Sequence, residues 1–284
     1  MKAKILFLAA LTALPVCAED DYGIWTQASL QKDLTKKVAF NGGVELRAND
    51  KLGEISRYGL SAGLTFKPQS FLHFGATYSF IRDYNASELK EHFEKNDDGE
   101  LELEDGRPVL DGYNHYDAYW RNKHRISLDA TGKVQFGRFT LSLRERYQYT
   151  RYAKADVDRE KYRLVPASIT PDNWTGDKLY PINGRYALLD EADVKTKAAK
   201  DSHILRSRVK LEYNIKGLPL NPYASYEFNN DIDNDLHLDK TRFIVGTELK
   251  ITKQHRFDIA YLFQKYNDSN DKLHALSISY KFKF

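Results

Sequence analysis

Over residues 272–284, Leu276, Ile278, Tyr280, Phe282 and Phe284 take every second position, and Ala275, Ser277, Ser279, Lys281 and Lys283 take those between. A β-strand turns successive side chains to opposite faces, so this period of two commits the stretch to a strand with one apolar and one polar face. The period recurs along the chain. Val38, Phe40, Val44 and Leu46 alternate with Lys37, Asn41, Glu45 and Arg47, and Tyr58, Leu60, Leu64 and Phe66 alternate with Arg57, Ser61 and Thr65. Phe74, Tyr78 and Phe80 alternate with His73, Thr77 and Ser79; Ile126 and Leu128 with Lys123, Arg125 and Asp129; Leu141, Leu143 and Tyr147 with Arg144, Arg146 and Gln148. Further on, Val209 and Leu211 alternate with Arg208 and Lys210, and the pattern continues through Tyr226 and Phe228, Phe243 and Val245, and Ile259 and Tyr261. Each segment has about the ten residues a tilted strand needs to cross the hydrocarbon of a bilayer.

The connections alternate too. Tight turns are expected near residues 34–36, 67–69, 132–133, 216–218 and 252–254, and longer loops at 49–53, 84–117, 152–200, 230–236 and 267–271. Short turns at one end and long loops at the other are the periplasmic and extracellular ends of a bacterial outer-membrane barrel. Ten strands fit: four in the first half (38–48, 55–66, 70–82, 119–131) and six in the second. Residues 24–34 make an awkward eleventh, because a barrel closed from a periplasmic N-terminus takes an even number. This segment is expected either in or under the lumen, or as part of a twelve-stranded barrel. The expected class is therefore all-β, a transmembrane antiparallel up-and-down barrel of ten strands or, with a strand missed by the pattern, twelve.

Residues 1–18 read as a secretory signal, with Lys2 and Lys4 at its start, an apolar run over 5–14, and Val16-Cys17-Ala18 as the cleavage site. Val16 is not the small residue that a lipid-modified Cys17 wants before it. Cleavage after Ala18 would leave residues 19–284 as one barrel without cysteine. A mean hydropathy of −0.61 excludes helical membrane proteins, which need long uncharged apolar runs. Aromatics at 13%, with 19 Tyr, suit girdles at two membrane interfaces. The formal charge of +3, about +1 without Lys2 and Lys4, gives no reason to expect nucleic acid.

The terminal Tyr280, Phe282 and Phe284 resemble the signal by which outer-membrane barrels are delivered to their assembly machinery. A wider resemblance rests on Trp25, Glu45-Leu46-Arg47, His124-Arg125, Arg144-Glu145-Arg146-Tyr147-Gln148, Pro222-Tyr223 with Glu227, Arg242, and residues 261–264. Together they resemble the barrel family called domain of unknown function 2490. The resemblance implies a bacterial outer-membrane barrel whose partners are the membrane lipid, lipopolysaccharide and the barrel assembly machinery, and it carries no activity.

The polar faces are crowded with charge. Arg121, Lys123, Arg125, Arg144, Arg146, Arg206, Arg208 and Lys210 come from three consecutive strands; Glu227, Glu248 and Asp258 come from the next three, with Glu45 across the seam. Slipping a basic strand by one residue would turn its cations toward lipid, at roughly 2–4 kcal/mol each near the midplane. These residues are therefore expected to face the lumen, either as a selectivity ladder for anions or, the reading preferred here, as a paired network filling a narrow barrel. Glu145 is the exception, since alternation points it outward.

Chemistry beyond this is thinly signalled. The acidic stretch 88–105 lacks the ligand spacing of a calcium loop and reads as a solvated loop, and no motif asks for a cofactor or a metal. Asp201 with His203 and His237 with Asp239 fall on the outward face. His115, Asp117 and Asp83 share the inward phase at the extracellular mouth of one hairpin, similar to the Asp and His pairs at the rim of omptin proteases. The preferred function is a structural or transport-type envelope barrel. The alternatives are a rim-active hydrolase using those three residues, and a surface-binding barrel working through its long loops.

Overall fold

The alternating segments fold into long strands whose ends the turn residues set. The computed structural model describes residues 20–49 and 52–284. The signal segment 1–18, with Cys17 and the expected cleavage after Ala18, lies outside the described residues, as do Asp50 and Lys51 of the 49–53 loop. Among the described residues there is no helix. The described residues divide into two compact units, 20–83 (without 50–51), 122–152 and 201–284 in one and 84–121 and 153–200 in the other.

The first unit is a closed barrel of eleven strands. In chain order these are β1 (Asp21–Asp33), β2 (Val38–Asn49), β3 (Glu54–Gln69) and β4 (Leu72–Asn85), then β9 (Tyr119–Phe136) and β10 (Phe139–Tyr152). They continue with β14 (Lys200–Tyr213), β15 (Leu220–Asp231), β16 (His237–Lys250), β17 (His255–Tyr266) and β18 (Lys272–Lys283). Side chains alternate between an outer face and the lumen in every strand. Val44, Leu60, Leu64, Leu128, Leu143, Val209, Tyr226 and Val245 are exposed on the outside, while Thr150, Glu227, Asn229 and Gln264 are buried inside.

Neither ten nor twelve strands is correct. β1, the segment whose weak alternation left it without a place, is the eleventh: it pairs antiparallel with β2 and parallel with β18, Trp25 facing Ser277 and Gln27 facing Ser279. The even-number rule assumes that every neighbour is antiparallel, and one parallel seam removes that condition. The weak pattern has a local cause. The outward positions of β1 include Thr26, Ala28 and Lys32, and its inward ones include Trp25, so neither face is uniform. The expected turn at Gly132-Lys133 also moves. Both residues stay in β9, and the chain turns at Gly137, whose φ of 60° is the left-handed conformation that glycine adopts without a Cβ penalty. Gly217, in the turn before β15, has a φ of 79° for the same reason.

The residues expected as two long loops build the second unit. β5 (Glu88–Phe93), β8 (Leu110–Tyr116), β11 (Ala155–Leu164), β12 (Leu179–Ile182) and β13 (Arg185–Lys197) form a sheet of order β12-β13-β11-β8-β5, and β6 (Leu103–Glu104) pairs with β7 (Arg107–Pro108). Its small core is Tyr113, Tyr162 and Ala187, flanked by Leu110, Leu164, Tyr180 and Ile182. Part of the acidic stretch 88–105 is therefore strand: its charges are spread along β5 and β6 at exposed positions, where they cost nothing to solvate.

The seam makes a direct test of the strand count. With Cys17 cleaved or replaced, Gln27→Cys together with Ser279→Cys should form a disulfide under mild oxidation, because the two positions are directly opposite in the parallel pair. Gln27→Cys with Ser61→Cys, on β3, should not. Equal crosslinking of both pairs on a non-reducing gel would mean that β1 is free in the lumen rather than part of the wall.

Candidate functional site

Glu227 sits on the inward face of β15 with 2% of its surface exposed. In register it lies between Arg208 of β14 and Arg242 of β16. Its Oε1 accepts from Arg206 Nη2 at 2.7 Å and from Arg242 Nη1 at 3.3 Å, and its Oε2 accepts from Arg144 Nη2 at 2.8 Å. Three guanidinium groups thus share one carboxylate. Two buried amides extend the layer: Gln264 accepts from Arg242 Nε at 2.6 Å, and Gln148 accepts from Arg206 Nη1 at 3.2 Å. A buried charge is tolerable only when paired and hydrogen-bonded, and charge-assisted bonds are the strong kind.

Beside it stands a second group. Asp83 accepts from Arg57 at 2.6 and 2.7 Å and from Lys123 Nζ at 2.6 Å. Glu45 lies 2.8 Å from Arg47 and 3.7 Å from Arg57, which bridges it to Asp83. The Arg47 guanidinium lies over the Trp25 ring, 3.8 Å from its centre, and Trp25 packs on Leu262, Leu273, Ala275 and Ile244 inside the barrel. On the next hairpin Arg146 pairs with Asp129, directly opposite in register.

The remaining expected lumenal residues have milder partners. Arg125 donates to the Thr150 hydroxyl at 3.2 Å. Lys210 lies 3.2 Å from Glu212 and 3.8 Å from the centre of the Tyr223 ring. Glu248 faces Lys250 at 3.6 Å and Arg256 at 3.5 Å, and Asp258 accepts from the Tyr223 hydroxyl at 2.9 Å. Arg208 has no carboxylate within ion-pair reach among the described residues, although Glu227 is its register partner. Gly246 serves this corner: a Cβ there would come within 2.9 Å of the Tyr223 hydroxyl and 2.6 Å of the Ala260 Cβ. Arg121 is placed otherwise than expected. It belongs to the second unit, where its guanidinium donates to the carbonyls of Ala153 at 2.8 Å and Ala198 at 2.5 Å. Arg47, Arg57, Asp129, Glu212 and Arg242 were not among the residues expected in the lumenal network, although each shares the inward phase of a residue that was chosen. Glu145 does point outward, with no bulge to turn it, and accepts from the Ser207 hydroxyl of β14 at 2.6 Å.

The three candidates for hydrolysis fall in different units. Asp83 belongs to the barrel, where three donors occupy its oxygens. His115 and Asp117 belong to the second unit, their Nδ1 and Oδ1 atoms 3.5 Å apart, with Glu160 3.7 Å from the same nitrogen. Glu160 is in turn engaged by the Tyr162 hydroxyl at 2.6 Å. The outward pairs re-partner as well: His203 meets Tyr147, Asp201 meets Tyr149 and Arg151, and His237 meets Asp268. Among the described residues no group of three or more His, Cys, Asp or Glu side chains is placed to hold a metal.

In the second unit Arg159 of β11 and Asp193 of β13 are directly opposite and joined by two hydrogen bonds. These bonds, with help from Lys161, hold the Asp193 carboxyl down at about 2, against 3.8 for an ordinary aspartate.

The family described as protein of unknown function (DUF2490) matches the chain over residues 22–274, which takes in nine barrel strands whole (β2 to β4, β9, β10 and β14 to β17), most of β1 and the first three residues of β18. None of the curated proteins compared with the chain matches it.

Two outcomes follow from this geometry. Glu227→Gln keeps the shape but removes the charge shared by three arginines. By the usual cost of breaking a buried pair, it should destabilise the barrel by about 3–5 kcal/mol, read as a fall in the temperature at which the folded band converts on a gel. An unchanged transition would show that water, not Glu227, compensates the arginines. Asp193 has a depressed folded pKa, so its contribution is present above about pH 4 and is lost as pH falls through about 2. Its carboxyl carbon resonance should titrate near that lower value, and Arg159→Ala should return it to the ordinary range.

Proposed function

The chain belongs to the DUF2490 family, and from that premise we propose that it is a bacterial outer-membrane barrel with a structural or transport-type role in the envelope, its lumen closed at mid-height by paired charge. The observation that carries the closed lumen is Glu227, buried and bound by Arg144, Arg206 and Arg242. Side chains from four strands meet there, and the Arg57–Asp83–Lys123 group and the Trp25 cluster add further paired and packed side chains inside the same barrel. A small barrel is filled by its own side chains in this way.

The outer face supports membrane insertion. Large apolar side chains stand exposed on alternate positions around the wall, an arrangement that water would penalise and lipid would not. Aromatic rings gather at two heights. Phe136, Phe139 and Tyr213 touch near the short turns, with Phe257, Tyr280, Phe282 and Phe284 further round the same rim. Toward the other end, Tyr78, Tyr147 and Tyr261 each bond a histidine ring, His124, His203 and His274, at 2.8, 2.6 and 2.6 Å. Rings with a polar tip suit the level where hydrocarbon meets headgroups. From Phe139 to Tyr149 on β10, ten steps of about 3.3 Å at a tilt of ~40° rise about 25 Å, the height of a barrel's apolar band. On this reading the partners are lipid, lipopolysaccharide and the assembly machinery that reads the terminal Tyr280, Phe282 and Phe284, and residues 1–18 are a signal removed on export.

A bilayer recording decides between a plugged barrel and an anion channel. Wild-type protein should show no nanosiemens conductance. Arg144→Ala with Arg146→Ala leaves Glu227 short of one partner and Asp129 without its own, so leak current should rise and thermal stability fall together. A wild-type pore of high conductance and strong anion preference would overturn the closed lumen.

A further inference from the structure

Below the Glu227 layer, toward the short turns, the lumen opens into two adjoining cavities of about 290 and 500 Å³ that share Thr65, His73, Lys133 and Lys281. The first is walled by Lys67, Lys133, Arg256, Lys281 and Lys283 with Gln31, Asn41, Thr65 and His73, and holds no carboxylate. Arg144, Arg146 and Arg208 line the second, and its two acids are already engaged: Asp129 by Arg146, and Glu212 by Lys210 and Asn221. Lys283 reaches Asp33 at 2.8 Å, and Arg256 has only the 3.5 Å approach to Glu248. Lys67, Lys133 and Lys281, like Arg208, have no carboxylate within ion-pair reach among the described residues. They are close enough to act on one another, with acids felt only at longer range than an ion pair: Lys281 feels Lys67, Arg256 and Lys283 against Glu248, and Lys133 feels Lys67 and Lys210 against Glu212 and Glu248.

The two halves of the lumen therefore differ in kind. Above, each acid is surrounded by cations in hydrogen-bond contact. Below, the cations lining the cavities outnumber the acids, and the two acids there, Asp129 and Glu212, are already engaged by other groups. Like charges brought together in a concave, partly dry site repel, and the field focused there attracts a counter-ion from outside. Several ammonium groups and a guanidinium around a pocket of this size fit an oxyanion with two or more charges better than chloride, because each oxygen can take its own charge-assisted bond. We infer that the turn-side half of the lumen is a binding site for a phosphate group, held by Lys67, Lys133, Lys281 and Arg208. The shared chemistry is a phosphate of two or more negative charges, carried either by a soluble molecule entering from the turn side or by an anionic lipid headgroup reaching the rim. The inference rests on the lumen being closed at mid-height, which makes this a blind cup rather than a stretch of channel.

The test uses the whole chain folded in non-ionic detergent, with inorganic pyrophosphate as the probe at constant ionic strength. Calorimetric titration should give saturable binding of one pyrophosphate per barrel. Lys133→Ala with Lys281→Ala should weaken it at least tenfold, whereas Lys195→Ala with Lys197→Ala, in the second unit, should leave it unchanged. Folding of every variant is checked by heat-modifiability. Without phosphate, the Lys133/Lys281 variant should also melt no lower than wild type, since it loses repulsion and no pair; a merely structural role for these lysines would lower it. Absent or non-saturable binding, or equal weakening by both pairs of substitutions, overturns the site. Repeating the titration in phosphatidylcholine vesicles with and without phosphatidic acid separates the two sources. Competition by phosphatidic acid identifies a lipid headgroup, and undiminished pyrophosphate binding identifies a soluble ligand. A leaky wild-type conductance with pyrophosphate binding intact would remove the plug and leave the anion site standing, so the two failures are distinguishable.

Discussion

The closing contact of the barrel is the ladder between β1 and β18, and much else follows from it. A strand with an open edge leaves a row of backbone donors and acceptors unpaired, which neither lipid nor a lumen of side chains can satisfy. β18 finds its partner in β1, running in the same direction from Asp21 beside Leu273 to Gln31 beside Lys283. This one parallel pairing permits an odd number of strands. It also fixes the phase of β1, and with it the inward position of Trp25, whose ring packs on Leu273 and Ala275 of β18 and on Leu262 of β17. Trp25 then offers its face to Arg47 and its Nε1 to Asn49 at 3.1 Å, both on the neighbouring β2. The seam is thus tied by ring packing and cation–π contact as well as by backbone bonds.

Inside, the sharing of charge is uneven by construction. Glu227 answers three arginines and Asp83 answers an arginine and a lysine, so the lumen carries more cations than acids even where every acid is used. Replacing such a network with apolar residues of equal volume is often neutral for stability. What the charges add is geometry: each guanidinium has a fixed fork of donors, and a carboxylate met by three of them is held in one place. The strands that supply those forks, β10, β14 and β16, are held in one mutual register with β15, and among the described residues the buried apolar cluster inside the barrel is that of Trp25.

The barrel could be read from the chain because period two is a backbone property: whichever side chains lie on the outer face must repeat every second residue, and Leu141, Leu143 and Tyr147 do so without help from anything distant. The strand number could not be read in the same way. β1 is two-faced only weakly, and the pairing that gives it a place joins residues some 250 positions apart, for which no local pattern exists. The inner site divides along the same line. Parity alone places Arg144, Arg206, Glu227 and Arg242 in the lumen, but which cation answers which acid depends on strand order and on side chains reaching across it. Arg146 takes Asp129 from the adjacent strand, while Arg144 crosses to Glu227. The second unit was hidden because its strands are polar on both faces in places, and alternation says nothing where neither face is apolar. Glu88, Leu89 and Lys90 of β5 are all exposed.

The contrast between the two halves of the lumen bears on what the barrel is for. A network present only to stiffen the wall would be expected to neutralise itself along its whole length, because an unmatched ammonium in a narrow lumen repels its neighbours and gives nothing in return. In the upper half the network does neutralise its acids, with Glu227, Asp83 and Glu45 each in contact with at least one cation. The surplus is displaced toward the turn side, where Lys67, Lys133 and Lys281 face a cavity instead of a partner. Rigidity explains the first arrangement and not the second. The same alternating strands build both, a charge-paired layer above and a cationic recess below it.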